Sequence, residues 1–209
     1  MTLSGIKSKP VYAPLRADPA GRRHLLLGVA PGGEALLTVL DELRGLAPEA
    51  LTRTQVLYAA EHGSAQGSGG TVSLASFAAV GVAEARGFDS TGEVLAAYRD
   101  VLASSVMGLR VYVAGPESFL GLAIQTALEF NLNRDEIRAQ VAGSLARRVR
   151  CVHCRATTED VRTNIVACGG CGRWLFVRDH YSRRLAAYMG VMVDAELPGE
   201  RPQIHEAFP

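Results

Sequence analysis

Four cysteines, the full complement of this 209-residue chain, stand as Cys151-x2-Cys154-x13-Cys168-x2-Cys171. Thiols in two matched C-x-x-C pairs can close disulfides, pass electrons through bound iron, or hold a zinc ion that shapes the chain. Two intervening residues let one tight turn aim both sulfurs at a single ion, and two such turns complete a tetrahedral shell. The glycines of CGGCG suit a knuckle that demands positive φ. Four thiols serving only as packing would not fall into two matched pairs.

Iron sites of the rubredoxin type also use two such knuckles, usually with a glycine after each and a longer segment between them. Here CVHCR lacks that glycine and the intervening loop is short. The expectation is structural zinc on Cys151, Cys154, Cys168 and Cys171, with iron as the alternative. Four thiolates close the shell and leave no position for substrate, so the role is architectural. No catalytic and no cofactor-binding residues are expected elsewhere. His153 and His180 read as exposed or hydrogen-bonded side chains rather than ligands. The opening MTLSGIKSKPVYAPLRADPAGRRH has no apolar core of an export signal, and LLLGVA is too short to span a bilayer. A cytoplasmic, reducing compartment is therefore expected, where structural disulfides are rare.

The elements that must position these thiols fall into two groups. HLLLGVA, TQVLYAA and LRVYVAG are short apolar runs suited to buried parallel strands. PGGEALLTVLDELRGL predicts a helix with Leu36, Val39, Leu40 and Leu43 on one face and Gly45 as its stop. STGEVLAAYRDVLASS predicts a helix capped by Ser90 or Thr91, and PESFLGLAIQTALEFNL one opened by Pro116. TVSLASFAAVGVA is ambiguous, EHGSAQGSGG reads as a loop, and NRDEIRAQVAGSLARRVR as a connector. Strand and helix thus alternate, which predicts an α/β fold with a parallel sheet and crossover helices. The expected division is an irregular arm over 1–23, the α/β domain over 24–146 and a small β zinc ribbon over 147–209.

Composition is that of a globular protein, 48% hydrophobic and 21% charged, with a net charge of +1. Arg147 to Arg184 holds nine arginines against three acids, a balance of +6 that leaves −5 for the rest. A basic module on a mildly acidic body permits nucleic-acid binding, but the near-neutral total argues against it.

The segment WLFVRDHYSRRLAAYMGVMVDAE, taken with the paired cysteines, resembles the small-subunit family of bacterial dimethylamine monooxygenase; VRDHYSRRLAAYMGV and DAELPGE are its distinctive words. The match runs from Cys151 to about Pro202. The resemblance implies a multi-subunit enzyme that converts dimethylamine to methylamine and formaldehyde with O2 and NADPH. It also implies haem-bearing and flavin/iron–sulfur reductase subunits as partners, which would carry the haem, FMN, iron–sulfur cluster and NADPH. The body resembles the nicotinamide-binding domain of ferredoxin–NADP reductases. In LRVYVAGPESFLGL, Gly115 and Pro116 match that family's Cys-Gly-Pro turn, with Ala114 in place of the cysteine, and GVAPGG departs from its first loop.

The leading expectation is an accessory subunit that docks on catalytic partners and binds neither membrane nor nucleic acid. Trp174, Phe176 and Tyr181 with the arginines would serve as interface anchors. A helix from about Ser182, with Leu185 and Met189 on one face, would form the docking segment. The alternatives are a redox-active reductase or rubredoxin-like electron carrier, and a nucleic-acid-binding zinc ribbon.

Overall fold

The computed structural model describes residues 8–60, 72–196, 198–199 and 202–209. Its chain divides into two compact units: Tyr12–Gly143, and Ser144–Pro209 together with the N-terminal segment up to Val11.

In the first unit five strands form one parallel sheet in the order β3-β2-β1-β4-β5. They are β1 (Arg23–Val29), β2 (Thr54–Ala59), β3 (Glu84–Phe88), β4 (Leu109–Gly115) and β5 (Ile137–Val141). Successive side chains point to opposite faces, and both faces are covered. Leu26, Val56 and Tyr112 pack under α1 (Gly33–Leu46) and Phe77 of α2 (Leu74–Val80). Leu25, Leu27, Val111 and Val113 pack under α3 (Thr91–Ala103) and α4 (Glu117–Glu129), through Tyr98, Leu102, Phe119 and Leu120. That two-sided burial is why LLLGV reads as an unbroken apolar run. The expected α/β architecture with a parallel sheet is what the chain adopts.

Several local expectations need correction. Helix α1 runs through Gly45 and stops at Ala47, whose φ of −154° leaves the helix. The cause is Pro48, which bars the residue before it from helical ψ. Within the ambiguous TVSLASFAAVGVA, Leu74–Val80 is helical, capped by Ser73 and Ser76 and ended by Gly81 at φ 92°. Ser90 does cap α3, its Oγ accepting the amide of Glu93 at 3.2 Å. Pro116 is the N-cap of α4 rather than its first turn. The connector contributes β5, and β3 completes the opposite edge. EHGSAQGSGG lies outside the described residues.

The second unit is a five-stranded sheet in the order β7-β6-β10-β9-β8. Its strands are β6 (Arg147–Cys151), β7 (Thr157–Val161), β8 (Ile165–Ala167), β9 (Trp174–Ser182) and β10 (Ala187–Met192). Only β6 and β10 pair in parallel; the other neighbours are antiparallel. Its core is Val149, Cys151, Val161, Cys168, Leu175, Val177 and Tyr188. The helix expected from Ser182 is instead a hairpin. β9 turns over Arg183–Ala186, with Ala186 at φ 46°, and returns as β10. Tyr188 lies opposite Tyr181, their rings edge to face at 4.9 Å, a cross-strand pair that a helix could not make.

Both chain segments at the margins of this unit are tied down. The amide of Ser8 donates to the Asp179 carbonyl at 2.9 Å, and the Tyr181 amide donates to Ser8 Oγ at 2.9 Å. The amides of Ala207 and Phe208 donate to the Arg162 carbonyl at 2.8 and 2.9 Å. Phe208 and Tyr188 sandwich the Arg147 guanidinium, each ring centroid 3.8 Å from it. Arg147 is 3% exposed and donates to Asp179 at 2.8 Å, so the sandwich is a desolvated cation–π contact rather than a surface one. Among the described residues no helix is long and apolar enough to cross a membrane.

Candidate metal centre

The four cysteines sit in two turns built to the same plan. The first follows β6. The Cys151 amide donates to the Ala156 carbonyl at 2.9 Å, and the Arg155 amide donates back to the Cys151 carbonyl at 3.0 Å. The second follows β8, where Cys168 donates to Arg173 at 2.8 Å and Gly172 to Cys168 at 2.9 Å. The fifth residue of each turn takes positive φ, 64° at Arg155 and 70° at Gly172. The glycine missing from CVHCR is thus needed by the geometry, and arginine fills the position under strain. Thr158 Oγ1 accepts the Gly169 amide at 3.1 Å and anchors the second turn to β7.

These turns bring all four Sγ atoms within 4.8 Å of one another. Cys154 and Cys168 approach to 3.5 Å and Cys151 and Cys171 to 4.0 Å. A tetrahedral ion with bonds of about 2.3 Å separates its sulfurs by about 3.8 Å, so the cage has the size that a thiolate-bound metal ion needs. The Gly170 amide donates to Cys168 Sγ at 3.4 Å, a backbone dipole aimed at a thiolate. No histidine belongs to the cluster. His153 is exposed and its Nδ1 lies 3.1 Å from the Arg173 guanidinium, while His180 is half-buried on β9.

Four thiols this close cannot all ionise alone, and their acidities divide accordingly. The amide of Arg173, helped by its guanidinium and the neighbouring thiols, draws Cys171 down to about 6 against the effect of burial. At Cys154 the Ala156 amide pulls downward but is outweighed by burial and the other three thiols, which push it up to about 11. Cys168 is lowered; burial opposes the shift, and the amides of Cys171 and Gly170 outweigh it. A divalent cation removes this conflict by stabilising every thiolate at once.

The residues of the expected reductase-like turn also meet, at the carboxyl ends of β1 and β4. Gly32 caps α1, and a Cβ there would lie 2.3 Å from the Ala114 carbonyl oxygen. A Cβ on Gly33 would lie 2.6 Å from Val72 Cβ, and one on Gly28 2.6 Å from Leu36 Cδ1. The glycines of GVAPGG are therefore packed against this chain's own backbone and side chains. Trp174, Phe176 and Tyr181 are half-buried on β9, while Arg183 and Arg184 are exposed in the hairpin turn. Thr158 and the sandwiched Arg147 carried no signal in the sequence, because each acts through a partner distant along the chain.

Two stretches of the chain match family models: residues 4–137 match the N-terminal domain described as "Dimethylamine monooxygenase subunit DmmA-like", and residues 148–191 its C-terminal domain. A curated relative, the heme-dependent oxidative N-demethylase delta subunit of Ectopseudomonas mendocina (strain ymp), is 33% identical over 111 residues. That match covers 53% of this chain and 63% of the relative, so the chain spans less than two thirds of its length. Among solved structures, the ferredoxin reductase of carbazole 1,9a-dioxygenase aligns with a TM-score of 0.43 at 13% identity, over 62% of this chain and 34% of that one. The FAD/NAD-binding domain of a nitric oxide dioxygenase from Vibrio cholerae O1 biovar El Tor gives 0.40 at 16% identity, over 58% and 52%. With both domains matched in order along one chain, this protein belongs to the DmmA-like family of dimethylamine monooxygenase subunits.

Proposed function

We propose that this chain is an accessory subunit of a multi-component N-demethylating monooxygenase, shaped at its C-terminal unit by one structural zinc ion. The carrying observation is the family match across both domains, joined to a closed four-thiol cage that has no vacant ligand position. The reaction of the whole complex would be oxidation of dimethylamine to methylamine and formaldehyde with O2 and NADPH. Haem would reside on one partner, and FMN with an iron–sulfur cluster on a reductase partner. When bound, zinc supplies four metal–sulfur bonds and no redox chemistry. Cys151 and Cys168 would pin the ends of β6 and β8, while the turn amides hold the thiolates in place.

Two further features support a supporting rather than a catalytic part. Gly32, Gly33 and Gly28 are covered by this chain's own atoms, which leaves little reason to place NADPH on this α/β unit. Three of the nine arginines between Arg147 and Arg184 are paired within the unit, as Arg147–Asp179, Arg148–Glu159 and Arg162–Asp160, and the near-neutral total charge of the chain favours a protein partner over nucleic acid.

Native co-purification tests the reading. The tagged chain is expected to elute with haem- and flavin-bearing subunits, to contain one zinc, and to be required for dimethylamine-dependent NADPH oxidation. A chain that purifies alone, or a complex fully active without it, overturns the proposal. A second reading, iron in place of zinc with electrons leaving through the exposed Cys154 edge, would require stoichiometric iron and visible absorption in the isolated chain.

A further inference from the structure

The four cysteines are matched in spacing but not in exposure. The first of each pair is in the core, Cys151 at 1% and Cys168 at 3% exposed. Cys171 is half-buried, and Cys154 alone is exposed. The turn around it offers no cover: Val152, His153 and Arg155 are all exposed, as are Gly169 and Gly170 on the facing turn. A small oxidant arriving from solvent therefore meets Cys154 first. The shorter of the two sulfur–sulfur approaches runs from that residue across to the other knuckle, 3.5 Å to Cys168, against 4.0 Å between Cys151 and Cys171.

We propose that Cys154 is a site of oxidation by hydroperoxides, and that its product is a cross-knuckle Cys154–Cys168 disulfide with release of the metal. The proposal rests on the zinc reading above. In the first step the Cys154 thiolate attacks one peroxide oxygen, the O–O bond breaks, and the products are a sulfenic acid and hydroxide. In the second the Cys168 thiolate attacks the Cys154 sulfur, the S–OH bond breaks, and a second hydroxide leaves. The peroxide gains two electrons and each thiolate gives one. Cys151 and Cys171 remain, and two thiolates cannot close a tetrahedral shell, so zinc departs. Loss of the ion removes the tie between the ends of β6 and β8, whose core includes both buried cysteines. A complex that reduces O2 is a source of peroxide whenever reduction runs ahead of substrate, which gives such a site something to sense.

The pairing can be read directly, because trypsin cuts after Arg150, Arg155, Arg162 and Arg173 and leaves Cys151 and Cys154 on one peptide, Cys168 and Cys171 on another. The full-length chain is assayed for zinc, treated with hydrogen peroxide, and followed with a chromogenic zinc chelator. The expected result is release of the zinc, a single species joining the two peptides, and recovery with dithiothreitol and added zinc. Cys154→His keeps a metal ligand and removes the exposed thiol; it should retain zinc and slow release at least about tenfold. Separate peptides, one lighter by two hydrogens, would mean closure within a knuckle and overturn the proposal. So would zinc release from Cys154→His at the wild-type rate. Should that variant fail to hold zinc, the wild-type peptide map still decides. Absence of zinc before peroxide defeats the zinc reading and this proposal together, whereas zinc that peroxide cannot release defeats this proposal alone.

Discussion

Replacing Gly32 with alanine separates two reasons for a glycine at the carboxyl edge of a parallel sheet. Its backbone, φ −65° and ψ −6°, is open to any residue, so conformational freedom does not require glycine here. Space does. A Cβ would stand 2.3 Å from the Ala114 carbonyl oxygen, 2.4 Å from its carbonyl carbon and 2.8 Å from the Gly115 amide nitrogen. These are backbone atoms of a central strand and cannot rotate aside. Where alanine fits, it stabilises by about 0.4–1 kcal/mol through the unfolded chain. Forcing packed backbone apart costs about 1–3 kcal/mol, and an overlap more than about 1 Å inside normal contact belongs at the upper end. The expected net loss is about 2 kcal/mol, or about 4–8 °C in Tm, measured by calorimetry or circular dichroism. Gly45→Ala is the control: it sits in α1 with no atom within 4 Å of the added methyl, and should gain up to about 1 kcal/mol. If Gly32→Ala is as stable as the wild type, the packing argument is wrong. Loss of NADPH binding in a variant as stable as the wild type would show that this glycine serves a ligand instead.

Serine at any one of Cys151, Cys154, Cys168 or Cys171 should abolish stoichiometric zinc and unfold the second unit while the helical signal of the first persists; retained zinc in any of the four variants refutes the ligand set. Asp18 gives a pH test. Its hydrogen bond from Arg110, at 2.7 Å, holds the carboxyl below its usual range despite burial. A depressed folded value means stabilisation that is full above the unfolded value of about 3.9 and is lost as pH falls through the lower folded one. Asp18→Asn should therefore be less stable than wild type near neutrality, with the gap closing in acid; a gap that widens in acid contradicts the assignment. Arg183 and Arg184, exposed at the β9–β10 turn, are the nearest descendants of the expected docking segment. Reversing both charges should weaken subunit assembly by about 2 kcal/mol if partner contacts desolvate them. Unchanged assembly and amine oxidation would place docking elsewhere.

The parts that could be read from the chain are those whose physics is local. Two-sided burial writes itself as LLLGV and LRVYV, and a metal cage writes itself as paired spacings. Strand β3, EARGF, is exposed along much of its length at the sheet's edge, so nothing apolar marks it. Its pairing depends on β2 beside it, where Gln55 lies opposite Glu84 and donates to it at 2.8 Å. The false helix from Ser182 had a genuine i, i+4 apolar pair in Leu185 and Met189. What overrode it was the Tyr181–Tyr188 cross-strand contact within the hairpin and the parallel pairing of β10 with β6, the second set by residues far away along the chain. Arg155 shows the same limit in small: arginine at positive φ is improbable until the Gly172 turn beside it reveals the shared plan.

The bond network of Ser8 with Asp179 and Tyr181 also fixes an order of events at the ribosome. One strand of the thiol-bearing sheet has a binding partner that is synthesised first, and β1 to β8 with α1 to α4 are all made in the interval. At about 5–20 residues per second, the parallel sheet can complete itself while β9 and β10 are still untranslated. Ser8 must wait for them. Newly made chains thus pass through a stage in which the α/β unit is finished and the thiols are not yet a cage. It follows that closure of the four-thiol cluster is the last step of folding, and that a chain halted before it would carry an α/β portion that is already native.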